Sequence, residues 1–277
     1  MYGPVDVQEL YYDIQDILIR FKENPINPVH FPDEENCLKV KRVKAYRNVK
    51  KADSSAFFYY NKKMNIQDAI RYANGDPKDV ALLQEIEQTY IRLMEVCPFR
   101  IEYRILDKTS PNSFAPFSFQ SKMALDLLCS SEKLVVLLCT LGHPFEQELN
   151  RYSLLDPKKA LLWDACGSAY IEECLDAFEQ QLKAQLAPFY LTDRFSCGYG
   201  DLPLTMQSQI VSFLEGTKRL GVFVSKSQML FPTKSVSAFL GVSPQKQPAK
   251  IKGCSYCMLN TTCPYRKKGK SCHEANR

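Results

Sequence analysis

Hydrophobic residues recur with two different periods along the chain, and these periods predict a mixture of helices and strands. Helical spacing predicts helices over residues 7–22, 65–72, 77–96, 121–129, 156–186 and 205–217. Alternating or continuous apolar runs predict strands over residues 38–46, 53–61, 99–106, 133–141 and 220–225. Residues 114–119 are rich in phenylalanine and predict an aromatic loop. Because no glycine-rich phosphate-binding motif links a strand to a helix, we predict an α+β fold with a mixed or antiparallel sheet.

The composition is that of an ordinary globular protein and excludes two kinds of partner. The 277 residues include 36 Lys+Arg and 31 Asp+Glu, so the net charge of 36 − 31 = +5 does not indicate a nucleic-acid partner. No segment approaches the roughly 18 consecutive apolar residues of a membrane span. The N-terminus lacks a basic segment followed by an apolar one, so no signal peptide is predicted and we expect a cytoplasmic protein.

The chain divides into three predicted parts. Residues 1–62 form an N-terminal extension with a helix and strands, and residues 63–243 form the main domain. Residues 244–277 begin with a linker rich in Pro, Lys and Gln and continue into a cysteine-rich tail.

One segment of the main domain has an unusual chemistry. Arg194 lies close in sequence to Gly198, Tyr199 and Gly200. Glycines allow the backbone to approach a ligand closely, and an arginine offers a planar fork of N–H donors to a carboxylate. The pattern is typical of a site for a ligand with an amino-acid tail, although a glycine turn beside a surface arginine would give the same residues.

The sequence Arg194-x-x-x-Gly198-Tyr199 resembles the R-x-x-x-G-Y signature of the activation domain of cobalamin-dependent methionine synthase. The segment 221–241, with Met229, Pro232 and Ser235-Val236-Ser237, is similar to a second motif of that family. Residues 140–142 and the helix around 164–172 resemble its stand-alone versions, so the likeness spans about residues 65–243.

This resemblance implies a C-shaped domain with a twisted, mainly antiparallel sheet flanked by helices, which binds S-adenosylmethionine in a shallow groove. Arg194 would bind the ligand carboxylate, and Tyr199 would face the corrin ring. Glu172 would meet the cationic end of the ligand, with Glu173 and Asp176 as alternatives. The remaining implied contacts come from the backbone of Phe195, Ser196, Cys197 and Gly198.

The implied function is reductive methylation of a corrinoid that has been oxidised from Co(I) to Co(II). One electron restores Co(I), and methyl transfer from S-adenosylmethionine then traps it. The chain has no D-x-H-x-x-G motif for corrinoid ligation, so the cobalamin would arrive on a corrinoid protein or on a methionine synthase that lacks its own activation domain. The resemblance also implies a one-electron donor such as flavodoxin or ferredoxin. If the chain is an enzyme, it is a transferase.

The tail carries a second motif, in which Cys254 and Cys257 are followed by Cys263 and Cys272. Four thiolates with a leading C-x-x-C can hold tetrahedral zinc or an iron–sulfur cluster. His273 could replace Cys272 as a ligand. The spacing leaves iron–sulfur, zinc and no metal open.

Two other functions fit parts of the sequence. The chain could be an S-adenosylmethionine-dependent methyltransferase for an acceptor other than a corrinoid. It could instead be a non-enzymatic zinc-binding interaction protein whose working part is the tail.

Overall fold

A computed structural model describes residues 66–247 and 261–262 of the chain. Helices and strands are interspersed along this part of the chain. The helices are α1 (Ile66–Tyr72), α2 (Val80–Val96), α3 (Lys122–Leu128), α4 (His143–Leu155), α5 (Pro157–Gln185), α6 (Met206–Phe213) and α7 (Gly216–Leu220).

The strands form one larger sheet and two short hairpins, and every strand pairing is antiparallel. The larger sheet contains β1 (Arg100–Asp107), β4 (Lys133–Thr140), β5 (Tyr190–Leu191), β6 (Phe195–Ser196) and β9 (Ser235–Ser243). Its order is β1-β4-β9, and both β5 and β6 pair with the far edge of β9. The hairpins are β2 (Ser113–Phe114) with β3 (Phe117–Ser118), and β7 (Phe223–Val224) with β8 (Leu230–Phe231).

Polar side chains determine where the helices begin. Asp79 accepts a hydrogen bond from the Leu82 amide at 3.1 Å and starts α2, so this helix begins at Val80 and not at Pro77 as the sequence suggested. Asp156 caps α5 in the same way by accepting from the Lys159 amide at 3.2 Å. Pro157 follows at the first turn, where its missing N–H costs nothing.

One face of the larger sheet packs against an aromatic core. Its rings meet edge to face, with Phe117 and Phe119 at 5.3 and 5.1 Å from the ring of Phe239 on β9. Helices α3 and α6 close this core with apolar side chains such as Leu127 and Ile210. The predicted aromatic loop is therefore a hairpin whose phenylalanine side chains are buried.

The other face of the sheet packs against the long helix α5. Tyr103 of β1 contacts Phe178 of α5 with ring centroids 5.0 Å apart. Gly167 of α5 allows a close approach of α4, because a Cβ atom there would lie 2.3 Å from Phe145. Helix α5 also packs against α1 and α2, so it forms the centre of the helical layer.

Some elements differ from the prediction. Helix α4 was not predicted, and neither was β9, the middle strand of the larger sheet. The predicted helix 205–217 is two helices, because Glu215 adopts a left-handed conformation with φ of 54°. The predicted strand 220–225 shrinks to Phe223–Val224, since its first residue ends α7.

The predicted α+β fold with an antiparallel sheet flanked by helices is confirmed. Among the helices of the described residues, none combines the length and apolar composition needed to cross a membrane. The predicted helix 7–22 and strands 38–46 and 53–61 lie outside the described residues, as does nearly all of the tail. The domain boundaries after residues 62 and 243 stay predictions.

Candidate functional site

A β-bulge precedes Phe195 at the outer edge of the sheet. Leu191 pairs with Val242 and Phe195 pairs with Phe239. Three residues (192–194) therefore oppose only two on β9 (240–241), so one extra residue is inserted at this point. Thr192 fixes the bulge, because its hydroxyl accepts a hydrogen bond from the Gly241 amide at 2.8 Å. A bulge changes the direction of the neighbouring side chains, and Arg194 is the last residue of this bulge.

Arg194 lies against three carboxylates of helix α5. Its Nη1 donates to Glu179 Oε1 at 2.5 Å and its Nη2 donates to Glu172 Oε2 at 2.6 Å. Asp176 Oδ1 lies 3.6 Å from the same Nη2. We call these four residues the Arg194 cluster. The two hydrogen bonds use two of the five N–H donors of a guanidinium.

The three carboxylates lie on one face of α5 but at different depths. Their spacing along the helix, four residues and then three, places them in one row. The Glu179 side chain is 9% exposed, whereas those of Glu172 and Asp176 are 44% and 62% exposed. The formal charge of the cluster is +1 − 3 = −2. The outer side of the cluster is therefore acidic, because Glu172 and Asp176 are exposed there while the Arg194 side chain is only 13% exposed.

The backbone beside Arg194 forms the edge of the sheet. Strand β6 pairs with β9 on one side, and no other strand of the described residues pairs with it. The Ser196 carbonyl accepts from the Tyr199 amide at 3.2 Å, which starts a turn away from the sheet. An edge strand offers N–H and C=O groups to whatever lies beside it.

The side chains of the same segment diverge. Phe195 and Cys197 point into the aromatic core, where burial raises the pKa of the Cys197 thiol to about 11. Ser196 points to the opposite face of the sheet, toward α5, because successive strand residues alternate. Tyr199 is half-buried and packs against the aromatic core.

Two glycines shape the loop that carries Tyr199. Gly198 and Gly200 have φ of 83° and 59°, which are left-handed conformations that favour glycine. The Gly198 amide donates to the Leu202 carbonyl at 2.9 Å, so it is engaged within the loop. Asp201 holds the loop against α3 by accepting from the Ser121 hydroxyl at 2.5 Å and the Lys122 amide at 2.6 Å.

A second ion pair lies further along the same face of α5. Lys234, directly before β9, donates to Ser168 Oγ at 2.9 Å and lies 2.8 Å from Asp164 Oδ1. Asp164 and Ser168 precede Glu172 at intervals of four residues, so all three belong to one row. The row of α5 that faces the edge of the sheet is thus polar from Asp164 to Glu179.

The comparisons with known proteins give a weak structural likeness and no likeness in sequence. The chain matches no protein-family model and no curated protein sequence. Among solved structures it resembles the crystal structure of the MetH reactivation domain bound to AdoHcy, with a TM-score of 0.45. The sequence identity is 14%, and the likeness covers 81% of this chain and 83% of that one. At these values it does not indicate a shared ligand or activity.

The structure brings some of the predicted site residues together and separates others. Arg194 contacts Glu172 directly, and Asp176, the predicted alternative, belongs to the same cluster. Glu173 instead accepts a hydrogen bond from the Tyr90 hydroxyl at 2.5 Å, so it is turned toward α2. The side chain of Tyr199 packs on the side of the sheet away from α5. Its predicted role, like those of the backbone groups of residues 195–198, stays a prediction.

Sequence reasoning missed Glu179 and the Lys234–Asp164 pair. Glu179 follows Glu172 by seven residues, which places both on one side of a helix, so its spacing was a usable signal. Lys234 had no such signal, because its contact with α5 depends on the position of β9 in the folded sheet.

The predicted metal ligands Cys254, Cys257, Cys263 and Cys272 lie outside the described residues. Within the described part of the chain, no group of three or more His, Cys, Asp or Glu side chains is arranged to hold a metal ion. Five of the six cysteines in residues 66–247 are buried, as expected of cysteines that act as small apolar residues.

Proposed function

We propose that the chain binds S-adenosylmethionine at the Arg194 cluster and uses it to re-methylate a corrinoid carried by a partner protein. The partner would be a corrinoid protein or a methionine synthase without its own activation domain, with flavodoxin or ferredoxin as the electron donor. The resemblance of residues 194–199 and 221–241 to the activation-domain motifs suggested this function. The Arg194 cluster is the observation that carries it.

The charges of the Arg194 cluster match those of the ligand. S-adenosylmethionine carries one carboxylate and two cationic centres, the ammonium and the sulfonium. The cluster offers one guanidinium and three carboxylates within 3.6 Å of it. A net-negative cluster favours a net-positive ligand, and a planar guanidinium recognises a carboxylate through paired hydrogen bonds.

Each residue of the cluster has a distinct role in this proposal. Arg194 binds the ligand carboxylate, while Glu172 and Asp176, the two exposed carboxylates, face the cationic groups. The edge of β6 supplies backbone groups beside the ligand. No general base is required, because methyl transfer breaks the S–CH₃ bond and forms a Co–CH₃ bond without moving a proton. The contribution of the protein is to hold the methyl group in line with the cobalt.

The proposal is tested by calorimetric titration of the full chain with S-adenosylmethionine and S-adenosylhomocysteine. The second ligand lacks the methyl group and the sulfonium charge. Glu172→Gln keeps the shape of the side chain and removes its charge, so we expect the affinity for S-adenosylmethionine to fall by about tenfold. The affinity for S-adenosylhomocysteine should fall less, because one of the two cationic centres is absent.

Two further variants complete this test. Arg194→Lys keeps the positive charge but loses the planar fork, so both ligands should bind more weakly. Glu148→Gln is the matched control, because Glu148 forms an ion pair with Arg151 at 2.6 Å on α4, away from the site. Absence of binding by the wild-type chain would contradict the proposal. Equal affinities of the wild type, Glu172→Gln and Arg194→Lys would place the ligand elsewhere.

The corrinoid half of the proposal requires a second readout from the same proteins. Cob(II)alamin, titanium(III) citrate as reductant and S-adenosylmethionine are mixed anaerobically, and methylcobalamin is followed by absorbance. We expect the wild type and Glu148→Gln to accelerate its formation and Arg194→Lys to do so less. A chain that binds S-adenosylmethionine without this acceleration would favour a methyltransferase for another acceptor.

A further inference from the structure

Glu179 differs from the other carboxylates of the Arg194 cluster in being nearly buried. Its side chain is 9% exposed, compared with 44% for Glu172 and 62% for Asp176. Its hydrogen bond to Arg194 Nη1, at 2.5 Å, joins two side chains that are both largely withdrawn from water. Such a charge-assisted bond is screened less by salt and solvent than the contacts at the surface.

The two hydrogen bonds of Arg194 engage different nitrogens. Glu179 holds Nη1 from the inner side, whereas Glu172 holds Nη2 from the exposed side. A carboxylate that approached from solvent would therefore meet the Nη2 side of the guanidinium. It could replace Glu172 there while the bond to Glu179 stays intact.

From this geometry we propose that Glu179 is a positioning residue that fixes the guanidinium of Arg194, and that Glu172 is the exchangeable partner. The inference rests on the proposed function and extends it. When the ligand binds, its carboxylate takes the place of Glu172 on Nη2. Glu172 then turns to the ammonium or sulfonium group of the ligand.

This exchange keeps both Glu172 and Arg194 in contact with a group of opposite charge. Before binding, Glu172 and Arg194 pair with each other at the exposed side of the cluster. After binding, each of them faces a ligand group of opposite charge. Because a charge left unpaired at such a site is costly, the exchange favours ligands that bring a carboxylate and a cation together.

The inference therefore predicts selectivity for the intact amino-acid tail. Decarboxylated S-adenosylmethionine keeps both cationic groups but has nothing to place on Arg194. Glu179 positions Arg194, so its removal should weaken the binding of a ligand that has the carboxylate more than that of a ligand that lacks it. Glu172 acts on the cationic groups, so its removal should affect both ligands.

The test compares the affinities of the full-length variants for S-adenosylmethionine and for decarboxylated S-adenosylmethionine by calorimetry. Glu179→Gln should lower the affinity for S-adenosylmethionine by about tenfold and that for the decarboxylated ligand much less, so the ratio of the two affinities should fall. Glu172→Gln should lower both, and Glu148→Gln should lower neither. A ratio of two affinities measured on one protein is insensitive to a partial loss of folded protein.

The outcomes separate this inference from the proposed function. If the wild type binds neither ligand, the proposed function fails. If the wild type binds S-adenosylmethionine and Glu179→Gln keeps the wild-type ratio, the proposed function survives and the positioning role is overturned. Should Glu179→Gln fail to fold, as judged by circular dichroism, Glu179→Asp keeps the charge on a shorter side chain. Its ratio should lie below that of the wild type, and an unchanged ratio again overturns the inference.

Discussion

Single residues hold the loop that follows Arg194 in place. Asp201 is the main one, because its carboxylate accepts hydrogen bonds from the Ser121 hydroxyl and from the first two amides of α3. These amides have no partner within the helix, and a negative charge at this end of a helix is favourable. Asp201 thereby connects the Gly198–Gly200 turn to a helix that packs in the aromatic core.

The hydrogen bonds to Asp201 predict a pH-dependent contribution to stability. The bond from Ser121 is the largest cause that lowers the pKa of Asp201 below its ordinary value of 3.8. A carboxyl group with a lowered pKa in the folded state stabilises the fold above its unfolded pKa and loses this effect as the pH falls. Asp201→Asn keeps an accepting oxygen but removes the negative charge at the start of α3, so it should lower the free energy of unfolding at pH 7 by about 0.3–1 kcal/mol.

Urea unfolding of the wild type and Asp201→Asn at several pH values checks this prediction. The difference between the two proteins should be full at neutral pH and should close as the pH falls below 3.8. Asp107→Asn is the matched control, because Asp107 is 74% exposed and its ion pair with Lys133 lies at the surface, where such pairs contribute little. A difference that does not change with pH would argue against an ionic role of Asp201.

At the scale of elements, the break between α6 and α7 depends on a close contact with the sheet. A Cβ atom on Gly216 would lie 2.4 Å from Leu138 Cδ2, and Leu138 is fully buried on β4. Gly216→Ala should therefore destabilise the fold by about 1–2 kcal/mol, since overpacking outweighs the gain in helix propensity.

The neighbouring residue provides the control for this prediction. Glu215 has φ of 54°, and asparagine tolerates this conformation better than glutamate does. Glu215→Asn removes an exposed ion pair with Arg219, which contributes little. Thermal unfolding should show a loss for Gly216→Ala and almost no change for Glu215→Asn. Equal stability of Gly216→Ala and the wild type would mean that Leu138 and β4 shift to accommodate the added methyl group.

The elements that sequence reasoning found carry a clear local signal. Helices α2, α3 and α5 have a side-chain cap at their first turn, β1 has alternating residues, and β4 is a continuous apolar run. Helix α4 lacks such a signal, because Gly142 provides no side-chain cap and only Phe145 and Glu146 are buried. Strand β9 has small residues and is buried on both faces over most of its length, so its sequence shows no alternation.

The candidate site was predictable only in part for a related reason. Both Arg194 and Glu172 came from the resemblance to the activation domain, and the structure joins them in one ion pair. The bulge that aims Arg194 depends on the register with β9, which was not predicted. The spacing of Glu179 from Glu172 was visible in the sequence, but its contact with Arg194 depends on how the edge of the sheet meets α5.

At the scale of the whole chain, net charge and local charge have opposite signs. The chain carries a net charge of +5, whereas the Arg194 cluster carries −2. Charges further apart than about 8 Å are largely screened at physiological salt. The proposed attraction of a cationic ligand must therefore come from the carboxylates of α5 and not from the field of the whole molecule.

The last prediction concerns the independence of the tail from the proposed ligand site. The last strand of the larger sheet ends at Ser243, and the Arg194 cluster lies within residues 172–194. The four tail cysteines follow this strand in sequence, whereas all four side chains of the cluster precede it. Replacing all four by serine in the full chain should therefore remove any bound metal and leave the affinity for S-adenosylmethionine unchanged.

Metal analysis, absorbance spectra and calorimetry on anaerobically purified protein check this prediction together. Iron with a broad visible band would indicate an iron–sulfur cluster, whereas zinc without such a band would indicate a structural site. Cys129→Ser is the control, because Cys129 is exposed outside the tail and should affect neither property. If the four substitutions weaken S-adenosylmethionine binding more than Cys129→Ser does, the tail must help to form the ligand site, and a site made by the cluster and the edge of β6 would be incomplete.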